Sequence, residues 1–340
     1  MGAYDDLMAF QRQTEALGQV AGRLGWDQET MMPRGAAAQR AEESGAMQAV
    51  LHARRIDPRV AEWLTAAEGE TLDQVGMAQV RHIRRSHDRT ARVPGDLAEA
   101  LARRTALAQG EWAAARESSD FDAFAPVLAE IVALKREEGA ALANGNNVYD
   151  ALLDDYEPGA VAADLEAMFT ALRPGLVALR EAALASDAEA PSVRGRFDPQ
   201  AQMKLARQLA KVAGYDMTRG RLDKAVHPFS SGSGSDVRIT TRTSDTDPFN
   251  CLYSTLHEVG HACYEQAIDP AYALTPLGAG VSMGVHESQS RIVENQLGRS
   301  RAFTGWLYGQ MRDAFGDFGI ETEDAFYAVV GRLVRLFSNV

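Results

Sequence analysis

"DPFNCLYSTLHEVGHACYEQAI", Asp247 to Ile268, is the stretch on which the reading of this chain turns. Asp247 before Pro248 marks a helix start: the aspartate caps, and the proline takes the first helical position, where its missing amide costs nothing. Apolar residues at helical spacing then predict a helix running to about Ile268. On such a helix His257 and His261 project from one face, one turn apart, so two imidazole nitrogens can share one metal ion at about 2.0–2.1 Å. Glu258 is turned roughly 100° from His257, which makes it a poor third ligand but a good general base toward a water at the ion. With seven histidines and 23 glutamates in 340 residues, chance gives roughly 0.01 occurrences of this H-E-x-x-H pattern, so coincidence is a weak explanation.

A catalytic zinc site needs a third protein ligand and an open position. The extended pattern with a third histidine requires His at position 267, where Ala267 stands, and that class is excluded. "GVHESQSRIVEN", Gly284 to Asn295, reads as a further helical segment with Glu287 and Glu294 on one face and Arg291 between them. Either glutamate completes a His/His/Glu set. Spacing does not decide, although His286, Ser288 and Gln289 can orient a carboxylate and favour Glu287. Arg291 reads as a one-turn ion-pair partner of Glu287 or Glu294, and Tyr253 as a packing residue with a satisfied hydroxyl. His227, His257, His261 and His286 cluster within one region, whereas His52, His82 and His87 lie in charged helical stretches and read as surface residues.

Outward from this region the chain changes character. Residues 4 to about 185 are rich in Ala, Leu, Glu and Arg at helical spacing, as in "DLAEALARRTALAQGEWAAAR" (Asp96 to Arg116). The breaks at "MMPRG", "RVPGD", "NGNNVYD" and "YEPGA" fold this half into helical hairpins. "SDAEAPSVRGRFDP" reads as a connector, and "DVRITTRT" is the best strand candidate, too short to form a sheet alone. The expected fold class is mainly α: a large helical body with a small β-hairpin or ribbon next to the metal-binding helices. Residues 1–340 are expected to form one domain, with helical hairpins over about 1–185 and the metal-site region over 186–340.

Net charge of −12 and a pI near 5.1 oppose a polyphosphate partner, and only "RHIRRSHDR" offsets them locally, so no nucleic acid is expected. There is no basic segment followed by an apolar one at the start and no run of eighteen apolar residues, so no membrane association and a cytoplasmic location are expected. On one helix Cys251 and Cys263 stand about 18 Å apart, beyond disulfide reach, and both read as small buried packing residues.

Five stretches together resemble the carboxypeptidase Taq family of zinc metallocarboxypeptidases: "GWDQETMMP" near the start, "HPF" at His227–Phe229, "DVRIT" at Asp236–Thr240, "HEVGH" at His257–His261 and "HESQ" at His286–Gln289. The resemblance implies that His257, His261 and Glu287 bind one Zn2+ per chain, with Co2+ as a substitute, and that Glu258 is the catalytic base. It places Arg238, beside Asp236, among the residues that engage substrate, which suits a guanidinium able to grip a free C-terminal carboxylate. His227 either joins them or braces its loop. The implied activity is hydrolysis of the C-terminal peptide bond of peptides with a free C-terminus, with broad preference, Pro disfavoured, in a homodimer. An oligopeptidase or endopeptidase uses the same zinc machinery, and an inactive zinc-binding helical fragment shares its ligands. In "GWDQETMMP", Trp26 reads as core packing and Asp27 and Glu29 as local caps or pairs. The family's later "IRxxAD" and "GxxQDxHW" patterns are not intact here. "FYAVVGRLVRLFSNV" stops where the first should begin, Arg335 is not assignable to its arginine, and the chain is expected to be C-terminally incomplete relative to the family.

Overall fold

Breaks in helical periodicity cut the first half where they were predicted to. The computed structural model describes residues 2–186 and 191–331, so Arg335 lies outside the described residues. The chain packs as two compact units, the first made of Met1–Pro158, Ser231–Val237 and Glu265–Ser282. Its helices are α1 (Ala3–Thr30), α2 (Ala37–Arg55), α3 (Pro58–Ala67), α4 (Gln74–Arg92), α5 (Gly95–Ser118), α6 (Phe121–Ala143) and α7 (Val148–Leu153). Side chains of Asp57, Asp73, Asp120 and Asn147 accept amide protons at the starts of α3, α4, α6 and α7, satisfying donors that a helix leaves unpaired. Leu7, Val60, Leu64, Val80 and Ile83 form a core among α1, α3 and α4.

Trp26 is buried, as read, and Asp27 takes Arg40 at 2.6 Å, whereas Glu29 pairs not locally but with Gln109, 80 residues on, at 2.6 Å. The basic stretch of α4 is spent inside the unit: Arg84 pairs with Glu68 at 2.8 Å, Arg85 with Asp154 at 2.6 Å and Arg89 with Asp155 at 2.5 Å. His52 corrects its reading as a surface residue. It is 7% exposed, and its Nε2 lies 2.8 Å from the Val93 carbonyl, an oxygen at the end of α4 that has no intrahelical partner. His82 is exposed and His87 half-buried.

The second unit holds Gly159–Ser230, Arg238–Tyr264 and the residues from Met283 onward. From Gly159 onward the elements are α8 (Ala162–Leu184), α9 (Pro199–Val212), β1 (Leu222–Lys224), β2 (Ser230–Ser233), β3 (Asp236–Thr241), α10 (Pro248–Ala267), α11 (Met283–Arg291), α12 (Arg301–Phe315) and α13 (Glu323–Val330). The β-element is more than a hairpin: the strand order is β1-β3-β2, with β1 parallel to β3 and Leu222 opposite Ile239. α10 starts as predicted, Asp247 Oδ1 accepting the Phe249 amide at 2.9 Å. It buries Leu252 and Leu256 against Leu205 and Leu209 of α9, Leu307 and Met311 of α12, and Phe326 of α13. Both cysteines are free thiols; Cys251 is buried, whereas Cys263 is half-buried, its Sγ 3.7 Å from the Ala213 carbonyl. Among the described residues no helix is long and apolar enough to cross a membrane.

Two contacts hold α10 in place. Thr241, the fully buried last residue of β3, donates to the Cys251 carbonyl at 2.9 Å and lies 2.9 Å from Ser254 Oγ, which stitches the sheet to the helix. On another face Gly260 meets α11 backbone to backbone: a Cβ there would stand 2.5 Å from the Gln289 carbonyl oxygen and 2.5 Å from Ser290 Cα. The atoms in the way are main chain, so no rotamer change makes room. Gly260→Ala should therefore destabilise the protein by about 1–3 kcal/mol, the usual cost of overpacking. The readout is a lowered Tm in thermal denaturation, and an unchanged Tm would show that the two helices separate freely.

Candidate metal centre

Close approach of α11 to α10 brings three donor atoms together. Nε2 of His257 and Nε2 of His261 lie 3.3 Å apart, and Glu287 Oε2 lies 3.6 Å from the first and 3.4 Å from the second. Ligands held at about 2.0–2.1 Å around a tetrahedral ion stand about 3.3–3.4 Å from one another. The triangle therefore has the size of one face of such a tetrahedron. All three residues are half-buried, which leaves a fourth position on the open side.

The outer nitrogens explain why both Nε2 atoms point inward. His257 Nδ1 is 2.9 Å from Glu294 Oε2, so it donates there and leaves the Nε2 lone pair for the centre. Nδ1 of His261 lies 2.7 Å from Nδ1 of His286, one ring donating to the other. With His261 as the donor to His286, both Nε2 lone pairs converge with a carboxylate oxygen and repel it unless a cation lies between them, so this donor set fits a divalent ion. Glu287 and Glu294 take different places: the first meets the two Nε2 atoms, the second backs His257. Arg291 serves both, through Nε to Glu287 at 2.8 Å and Nη1 to Glu294 at 3.1 Å. Glu294 also receives Arg299 Nη2 at 3.4 Å. Tyr253, as read, is buried with its hydroxyl donating to the Gly298 carbonyl at 3.0 Å.

Electrostatics sort these groups. Glu258 is 5% exposed, and burial pushes its carboxyl up to about 7, with Glu287 and Glu294 adding to the rise and His257 opposing it. A dication at the triangle pulls such a carboxyl back toward its ionised form. Burial, with His286 and His257 nearby, pushes His261 down to about 4, so its imidazole is neutral and ready to ligate at pH 7. The hydrogen bond to Glu294 raises His257 against the opposing effect of burial. Burial pushes Glu294 up, but its bond from His257 and the Arg291 charge outweigh it and hold the group below the usual carboxylate range.

The donors open onto a cleft of about 770 Å³ whose walls include His227, Arg242, Asp247, Tyr253, Glu258 and Arg299. That volume suits a ligand of a few residues. Of the residues singled out for substrate, His227 lines the cleft, Arg238 is half-buried on β3 and is not among the lining residues, and Asp236 accepts from Arg23 Nε at 2.9 Å within the first unit. Sequence reasoning passed over the bracing roles of Glu294 and His286 and did not single out Arg242. For Glu294 a signal existed in its helical register with Glu287; for Arg242 there was none.

The profile of the carboxypeptidase Taq (M32) metallopeptidases matches residues 6–337. The chain belongs to this family. Thermostable carboxypeptidase 1 of Thermus thermophilus is 39% identical, over 96% of this chain and 68% of its own length. Metallocarboxypeptidase 1 of Trypanosoma cruzi superposes with a TM-score of 0.84 at 32% identity, covering 98% of this chain and 68% of that one. The M32 carboxypeptidase of Deinococcus radiodurans superposes with a TM-score of 0.84 at 35% identity, covering 96% and 66%. The chain thus spans about two thirds of the length of these relatives. The mainly helical fold and the metallocarboxypeptidase class expected from the sequence are those of the family, and an M32 metallopeptidase implies a divalent ion.

Glu294→Ala should weaken divalent-metal binding by about 10- to 100-fold, the usual effect of removing a partner behind a ligating histidine. Glu294→Gln, which keeps an acceptor oxygen, should lose less. Titration against a competing chelator measures both; wild-type affinity in Glu294→Ala would remove Glu294 from the site.

Proposed function

We propose that this chain is a zinc-dependent carboxypeptidase that removes the last residue from peptides with a free C-terminus. His257, His261 and Glu287 hold the ion and Glu258 is the general base. One observation carries the reading: three donor atoms converge at tetrahedral spacing beside a buried carboxylate, in a cleft of peptide size. Two imidazoles and one carboxylate suit zinc among the divalent ions, with cobalt as its substitute.

Zinc, when bound, supplies Lewis-acid chemistry, polarising the scissile carbonyl and making water nucleophilic near neutral pH. Glu258 takes the proton from the attacking water and returns it to the departing amine as the carbon–nitrogen bond breaks. Its burial shields that proton from bulk water during the transfer. Glu294 and His286 keep the imidazoles oriented through the cycle. His227 on the cleft wall engages the substrate; the resemblance also implies Arg238 and Asp236, neither of which is among the lining residues. The reading carries with it broad preference at the released residue, Pro disfavoured, a homodimer and a cytoplasmic location.

Mass spectrometry of a peptide and its C-terminally amidated twin, each incubated with the zinc-loaded chain, tests the activity. Stepwise loss of residues from the free acid alone, abolished by chelator, is expected. Equal internal cleavage of both peptides would make the chain an endopeptidase, and zinc binding without cleavage of either would make it an inactive zinc protein. Glu258→Gln should keep one zinc per chain while turnover falls by about 10²- to 10⁴-fold; loss of zinc in that variant would contradict the role given to Glu258.

A further inference from the structure

Three arginines line the cleft beside the donor triangle: Arg242, Arg291 and Arg299. Their hydrogen bonds separate them. Arg291 spends Nε and Nη1 on Glu287 and Glu294. Arg299 spends Nε on Asn295, Nη1 on the Val330 carbonyl and Nη2 on Glu294, with its guanidinium carbon 4.2 Å from the centre of the Tyr253 ring. Arg242 spends Nε alone, on Asn250 Oδ1 at 2.7 Å, and its two terminal nitrogens have no partner among the described residues.

Arg242 is also fixed in position. It follows Thr241, whose buried hydroxyl ties the end of β3 to α10, and its own Nε is tied to α10 through Asn250. Asn250, Ser254, His257 and His261 are spaced by four, three and four residues and share one helix face. Asn250 therefore precedes His257 by two turns, about 10 Å along the axis. One terminal residue extends about 3.6 Å, a metal–oxygen distance is about 2 Å and a charge-assisted hydrogen bond is about 2.8 Å. A peptide with its last amide at the ion thus brings its carboxylate within reach of a guanidinium anchored at Asn250. Arg238, by contrast, is not among the cleft residues.

We infer that Arg242 grips the free C-terminal carboxylate of the substrate through its two terminal nitrogens, and so sets cleavage one residue from the chain end. This rests on the carboxypeptidase reading. Two parallel nitrogens match two carboxylate oxygens, and a fork already oriented by Asn250 loses little freedom on binding.

The test is calorimetric, so that it does not depend on turnover. A tripeptide ending in a D-residue, as free acid and as amide, is titrated into the zinc-loaded 340-residue chain. Wild type should prefer the acid by about 10- to 100-fold, the usual value of hydrogen bonds to a charged group. Arg242→Met, which keeps the aliphatic stem, should bind acid and amide alike with zinc content and Tm unchanged, and Arg242→Lys should restore part of the preference. Preference retained in Arg242→Met, or lost in Arg238→Met instead, overturns the inference. Equal binding of acid and amide by wild type overturns it too, and cleavage of a free-acid peptide in parallel would then show that the carboxypeptidase reading stands without it.

Discussion

Everything at the metal centre depends on the absence of one methyl group. At Gly260 the backbones of α10 and α11 are closer than any side chain allows, the first added carbon falling 2.5 Å from main-chain atoms of the facing helix. This contact decides how far Glu287 stands from His257 and His261. Interhelical distances of 8–10 Å are ordinary for helices separated by larger side chains. At such a separation a glutamate on α11 would not meet both imidazoles at 3.4 and 3.6 Å. The glycine inside H-E-x-x-H is thus a packing residue for the third donor, Glu287, which lies 26 positions after His261 in sequence.

Closeness alone does not make a ligand set. Each imidazole has two nitrogens, and without a partner on the outer one either could face the centre. Glu294 and His286 take the outer nitrogens, and the hydrogen bond from His257, helped by Arg291 and Arg299, holds Glu294 below the usual carboxylate range despite its burial. Charge is arranged in shells: a carboxylate and two lone pairs inside, a second carboxylate behind one imidazole, and guanidinium groups beyond. Glu258 is outside this network. Its burial outweighs the opposing effect of His257, which is why its carboxyl rises while Glu294 falls.

Features legible in the sequence are those set locally. The start of α10, the histidine pair and the breaks between the early helices are fixed by residues within a few positions, so caps, Pro and periodicity disclosed them. The choice between Glu287 and Glu294 was not local. Spacing assumed a uniform helix, whereas the chain widens to π geometry over Ile292–Leu297, a local change that periodicity does not report. His52 misled for a related reason: its neighbours are charged, but its ring is claimed by a carbonyl 41 residues away. The parallel pairing of β1 was hidden because a three-residue strand leaves no period to detect. Arg242 was missed because its distinction is a matter of which donors are spent, and the sequence holds no record of that.

The placement of the parts also bears on how reliably they act together. The three donors, Glu258, Glu294, His286, Asn250 and Arg242 all belong to the second compact unit, and most are on α10 and α11. Their spacing is set by helix rise and by the stitching of Thr241 to α10, both stiff on the scale of a hydrogen bond. A site divided across a hinge would need closure to bring base and carbonyl into register. Here the distance from the donor triangle to Arg242 is a property of one helix face, fixed when α10 folds. On the proposed reading, discrimination between a chain end and a chain interior would cost no conformational change, because only a peptide ending about one residue beyond the donor triangle would offer its charge at that fixed offset.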